Sequence, residues 1–259
     1  MWVPPIPPLT PIRDRLPTRT FPFINYLLIV SNVLVFLWQQ ALAESGYESI
    51  GSVLGFVPYQ FNHDPVATAP TIVTSMFMHG GWGHLFSNML FLWIFGDNIE
   101  DAVGHLRYVA FYLIGGVAAA MTQMAIDPGS TVPMVGASGA ISAVMAAYLL
   151  LYPTSPITVL NPIFLLWFFF GIFLELPAWV VTLEFFVLNL LSGVSSLESS
   201  RHGMGGVAFF AHLGGFVAGF VLVRLFMIGR TKQTADRWSG WRPPERRRQS
   251  GWDDSRYYR

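Results

Sequence analysis

Seven long apolar runs divide this chain, at about residues 23–43, 82–98, 106–126, 137–152, 157–174, 178–192 and 206–228. Each approaches the roughly 20 residues that an α-helix needs to cross about 30 Å of hydrocarbon. A soluble core has no use for so many. With 53% hydrophobic and only 12% charged residues, the sequence reads as an all-α polytopic membrane protein built as one bundle. It contains no cysteine, which excludes disulfides, thiolate zinc sites and cysteine nucleophiles, so any covalent chemistry falls to another residue type.

The formal charge is zero, but its distribution assigns sides. Arg13, Arg15 and Arg19 precede the first run, Arg107 follows the second, and ten more Lys and Arg lie from Arg224 to Arg259, leaving only Arg201 elsewhere. The 37 residues from Ala41 to Phe77 carry no Lys or Arg, nor does the DPGSTVPMVG stretch at 127–136. By the positive-inside rule these two loops face outward and both termini face the cytoplasm. Two cytoplasmic termini require an even number of crossings, so one of the seven runs does not span. The 157–174 run is flanked by prolines and interrupted by Asn161-Pro162, a turn signal that also breaks helices. It is expected to form a cytoplasmic-side hairpin or interfacial element. The alternative is a seventh span there in place of the weaker 178–192 run; either way six cross. Residues 1–21 are expected as a cytoplasmic lead with no secretory signal, residues 22–229 as the six-span membrane domain, and residues 230–259 as a disordered cytoplasmic tail.

Polar side chains inside membrane spans are costly and mark functional sites. The second run opens HGGWGHLFSN, placing His84 and Asn88 one turn apart on one face. Ser138 opens the fourth run within GASGA, and His212 lies in AHLGG near the start of the sixth span. All three runs start outside, so the three sites share one leaflet. From Ser138 to Tyr152 a helix rises about 22 Å, short of the hydrocarbon thickness, so Ser138 should sit below the outer surface behind an irregular 127–136 segment. Ala140, Ala143 and Ala147 on the fourth run and Ala211, Gly215 and Gly219 on the sixth have the small-residue spacing that lets backbones approach.

Taken singly, each signal has a packing explanation: a Gly-x-Ser-Gly lets helices touch, an intramembrane histidine bridges helices, and His84 with Asn88 can satisfy one another. Together they form the parts of an acyl-transfer site. A serine needs a base to take its proton, His212 is one, and His84, Asn88 and the Ser138 amide are donors for the oxyanion that attack creates.

These motifs, HGGWGHLFSN, GASGA and AHLGG, in that order on the second, fourth and sixth spans, resemble those of the rhomboid intramembrane serine proteases. The likeness covers about residues 20–228, and the PIRDRLPTRTFPFINYLLIVSNVLVFLWQ and FGDNIEDAVGHLRYVAFYLIGG segments are similar to the prokaryotic branch. The resemblance implies a six-transmembrane-helix bundle in a bacterial plasma membrane. It implies Ser138 as nucleophile, His212 as general base without a carboxylate, and an oxyanion site of His84, Asn88 and the Ser138 N–H. Substrates would be membrane-spanning proteins cut near their outer end, with the lipid bilayer as partner, no metal, no small-molecule cofactor and no nucleic acid.

The sequence also departs from the family pattern. The outer loop lacks the Trp-Arg pair that many members carry, and Ser142 stands where an aromatic often packs on the histidine, so the orientation of His212 is expected to rest on another group. Glu184 is expected to reach the cytoplasmic interface or else to make a polar contact affecting substrate entry, and His79, His105 and His202 to be interfacial or loop residues, with His79, five before His84, alternatively helping to order the loop. Two other functions compete with proteolysis: a catalytically inactive relative that binds membrane proteins in quality control, and a transporter. The second lacks any polar path through AVMAAYLLLY or GGFVAGFVLV.

Overall fold

The computed structural model describes residues 9–46, 50–163, 167–200 and 209–230. Long helices follow the apolar runs in order: α1 (Phe23–Glu44), α2 (Trp82–Val103), α3 (His105–Ile126), α4 (Ser138–Leu151), α5 (Ala178–Ser200) and α6 (Phe209–Phe226). By length and composition three of them, α1, α3 and α6, suffice to cross a membrane, whereas α4 and the Ala178–Leu188 part of α5 are shorter apolar helices. Asp97, Glu100 and Asp101 make the last two turns of α2 polar. The tail at 231–259 and His202 lie outside the described residues.

The shortest of these helices is the most enclosed. Every residue of α4 from Ala140 to Tyr148 is buried, as expected for a helix apolar on all sides. It packs against α2, α3 and α6, and α6 packs in turn on α3. Glycine makes that possible: a Cβ on Gly215 would lie 2.1 Å from the Gly139 carbonyl oxygen, and one on Gly219 2.3 Å from that of Ala143. The small-residue stripes predicted to meet do meet, backbone against backbone.

Two loops and a sheet complete the frame. Between α1 and α2 lie short helical turns, Ile50–Leu54, Pro58–His63, Pro65–Thr68 and Pro70–Thr74, the last three opening on proline, whose missing N–H is no loss at a first helical position. The all-α expectation is amended by a small antiparallel sheet, β1 (Pro11–Asp14), β2 (Pro156–Leu160) and β3 (Phe173–Pro177), in the order β1-β2-β3. The β2–β3 pair is the hairpin expected from the prolines and Asn161-Pro162. β2 carries β-branched Ile157, Thr158 and Val159, all buried, and proline bounds keep the segment from continuing a helix.

The polar lead is tied down. Pro22 at the N-cap of α1 makes no side-chain cap, and Glu100 supplies one from α2: its carboxylate oxygens accept the Ile24 and Asn25 N–H groups at 2.9 and 2.7 Å, satisfying amide hydrogens that have no acceptor inside the helix. Asp101 accepts hydrogen bonds from the Arg19 guanidinium and from the Thr20 amide and hydroxyl.

Candidate active site

Ser138 is the first residue of α4, so its N–H is among the helix's initial amide hydrogens, which have no acceptor within the helix and lie at its positive end. Ahead of it the chain turns through Gly136 at φ +122°, a conformation side chains resist. The loop is pinned from the segment between α1 and α2: Gly136 N–H donates to the Ser75 carbonyl at 2.8 Å, and Met134 pairs with Phe56 as an antiparallel bridge. This is the irregular 127–136 segment anticipated from the sequence, half-buried to exposed along its length and held by protein at Met134 and Gly136.

His212 comes from the first turn of α6. Its Nε2 lies 2.7 Å from Ser138 Oγ, the geometry of a hydroxyl donating to an imidazole nitrogen. The close α4–α6 approach at Gly215 and Gly219 is what brings the two side chains within reach.

His84 and Asn88 converge on the same spot from α2. A Cβ on Gly136 would lie 2.7 Å from His84 Nε2 and 3.5 Å from Asn88 Nδ2, so both side chains are packed against the loop two residues before Ser138. The Gly80 N–H donates to His84 Nδ1 at 3.4 Å, which leaves the hydrogen on Nε2, the nitrogen facing Gly136. Asn88 Nδ2 is buried with no hydrogen-bond partner among the described residues. A buried amide donor left unpaired is costly, and one held against the loop two residues before a serine suits an acceptor that appears only during reaction. Beside Ser138, a cavity of about 40 Å³ bounded by Met76, Ala119, Gly136 and Gly139 exceeds the roughly 10–15 Å³ that one water needs.

All four residues singled out from the sequence are therefore gathered at one place. Other residues pack around this cluster. His79 lies in the loop before α2 and is fully buried: Gln39 on α1 donates to its carbonyl at 2.7 Å and accepts its N–H at 3.1 Å, and its ring stands edge-on to His84 with centroids 5.2 Å apart. His105, by contrast, is partly exposed and pairs with Glu100. Ser142 donates its hydroxyl to the Ser138 carbonyl at 2.8 Å, and the aromatic neighbours of His212 come from elsewhere: Phe185 on α5 at 6.1 Å and Phe209 on α6 at 6.5 Å between ring centroids. Glu184, next to Phe185, accepts the Leu9 N–H of the lead at 3.0 Å.

Comparison with known proteins follows the same lines. A family model described as the rhomboid domain matches residues 67–228, well over half of the chain. Rhomboid-like protein 11, chloroplastic, of Arabidopsis thaliana is 32% identical over 153 residues, covering 59% of this chain and 51% of that protein. Rhomboid-like protease 5 of Toxoplasma gondii is 27% identical over 193 residues, 71% of this chain and 20% of that one. The human presenilin-associated rhomboid-like protein, mitochondrial, is 32% identical over 126 residues, 46% of this chain and 30% of that one. The chain spans about half or less of the length of these relatives.

Proposed function

The chain belongs to the rhomboid family, and from that premise we propose that it is an intramembrane serine endopeptidase using Ser138 and His212. The observation that carries this reading is the 2.7 Å contact between Ser138 Oγ and His212 Nε2. His212 takes the hydroxyl proton as Oγ attacks the scissile carbonyl carbon. The carbonyl oxygen, now an anion, is met by the Ser138 N–H, His84 Nε2–H and Asn88 Nδ2–H. As the tetrahedral intermediate collapses, the C–N bond breaks and the leaving amine receives the proton from His212. A water then attacks the acyl-enzyme with His212 again as base, releasing the acid and restoring the serine.

The substrate class follows from the setting. A serine below the outer surface of a bundle meets polypeptide that is itself in the membrane, so the substrates are membrane-spanning proteins cut near their outer ends. A peptide bond inside a helix is shielded, so residues that weaken a helix near the scissile bond favour cleavage. On the Lys and Arg distribution we assign six crossings, both termini to the cytoplasm and the site to the outer side. The likeness of the lead and of FGDNIED to the prokaryotic branch supports a bacterial plasma membrane.

The test is incubation of purified protein with a panel of single-span proteins and, separately, with a fluorophosphonate probe. Cleavage and covalent labelling are expected from wild type and from neither Ser138→Ala nor His212→Ala. Equal product from all three removes the protease reading, and an unlabelled wild type would turn it toward a non-catalytic binding role.

A further inference from the structure

Helix α5 sits at the edge of the bundle. Trp179, Leu183, Val187 and Leu191 form an outward stripe, 44–61% exposed, while Ala178, Val181 and Thr182 face inward and are buried. The N-terminal lead grips this helix at its start. β1 pairs with β2, β2 with β3, and β3 runs straight into α5 at Pro177. Arg15 of the lead forms an ion pair with Glu175 of β3. Beyond the sheet, the Leu9 N–H donates to Glu184 Oε1 on α5 itself at 3.0 Å, and the other carboxylate oxygen is buried without a partner among the described residues.

Glu184 and Phe185 are consecutive, so their side chains leave the helix about 100° apart. Holding the first by a fixed point on the lead sets the helix's rotation and therefore the direction of the second. That direction is toward the candidate site: the Phe185 ring is wedged between Phe91 of α2, at 5.3 Å, and His212 of α6, at 6.1 Å between centroids. Serine at 142 leaves no aromatic on α4 to press on the imidazole.

We propose that Glu184 is a positioning residue for His212: latched to the Leu9 amide, it fixes the rotation of α5 so that Phe185 holds the imidazole in line with Ser138. The inference rests on the hydrolase reading above. It gives the lead a task in the chemistry, although none of its residues touches the reacting atoms.

The test measures the rate at which a small fluorophosphonate labels Ser138, a reaction that needs the base but no entry of a protein substrate from the bilayer. Glu184→Ala removes the acceptor and Leu9→Pro removes the donor. Each slows labelling about 10-fold, the scale of a small misplacement of a catalytic group. Glu184→Gln keeps an acceptor oxygen and stays within about 2-fold of wild type, and the Glu184→Ala/Leu9→Pro double variant is no slower than the slower single, because both remove one contact. Because the chain has no cysteine, the pair Leu9→Cys/Glu184→Cys can be bridged selectively with a short bis-methanethiosulfonate. The bridged protein labels near the wild-type rate, and reduction lowers it to the Glu184→Ala rate in the same folded sample. Unchanged labelling in Glu184→Ala and Leu9→Pro while the wild type labels normally, slowed proteolysis with unchanged labelling, or additive effects in the double variant each overturn this inference alone. Failure of the wild type to label overturns both it and the hydrolase reading.

Discussion

His212 Nε2 lies 2.7 Å from Ser138 Oγ across 74 residues of sequence, and the approach of the two helices sets that distance. Two glycines allow it. Gly215 and Gly219 bring α6 so close to α4 that a single added carbon would enter carbonyl oxygens of the facing backbone. The helices are stacked by packing that tolerates almost no displacement, and the side chains one turn further out inherit that precision.

Removing either partner should therefore remove the activity of both. Ser138→Ala and His212→Ala are each expected to abolish turnover, and the double variant to be no worse than either, since groups acting as one unit are not additive. Measured turnover of a single-span substrate decides it. Substantial residual activity in His212→Ala would assign the base to another group.

The glycines offer a graded prediction. Gly215→Ala puts a methyl 2.1 Å from the Gly139 carbonyl oxygen, and backbone cannot rotate away, so the helices part by on the order of 1 Å. Overpacking of this kind costs about 1–3 kcal/mol, and the lost alignment should lower turnover about 100-fold. Gly116→Ala meets the far end of the Met76 side chain instead, a flexible thioether that can yield, and should be milder in both respects. Thermal unfolding and turnover of the two variants, compared directly, test the ordering.

Asn88 should act only in the transition state. Its Nδ2 is buried and unpaired among the described residues, so Asn88→Ala removes no ground-state contact of that donor. The expected result is a fall in kcat of about 100-fold, typical for one oxyanion donor, with KM nearly unchanged. A large rise in KM with little change in kcat would make Asn88 a substrate-binding residue.

How much of this was legible in the sequence depends on how rare each signal is. Ser138, His212, His84 and Asn88 stood out because polar groups in apolar runs are uncommon, and the hairpin at 157–174 because prolines and Asn161-Pro162 interrupt it. β1 was not legible: PIRD has no alternating pattern, and its partner strand begins at Pro156, far along the chain. Nor was the tie between Leu9 and Glu184, since a carboxylate accepting a backbone amide leaves no trace in residue type on the amide side. Phe185 and Phe209 were hidden for a different reason. In a chain with 22 phenylalanines, nothing marks the two beside a histidine. The polar end of α2 was visible as FGDNIED, but its use in capping α1 through Glu100 and holding the lead through Asp101 requires the fold.

Asp14 makes the stability of the sheet end of the molecule dependent on pH. Its Oδ2 accepts the Tyr148 hydroxyl at 3.0 Å and the Asn98 side-chain amide at 2.7 Å. Even so, burial raises its pKa from 3.8 to about 6, with the Tyr148 hydrogen bond pulling the other way. A carboxyl whose folded value lies above its unfolded one is protonated more readily in the native state. Between about pH 4 and pH 6 the folded protein therefore holds more protons than the unfolded chain, and stability falls as pH rises through that window and stays lowered above it. The full shift corresponds to at most about 3 kcal/mol, less for a side chain that is partly exposed. Asp14→Asn retains an acceptor oxygen for Tyr148 and Asn98 without the charge. It should unfold at a higher temperature than wild type at pH 7.5, match it near pH 4, and show a flatter slope between. Thermal unfolding in detergent at the two pH values tests this, and a variant less stable than wild type at pH 7.5 would show that the charged form of Asp14 is stabilising.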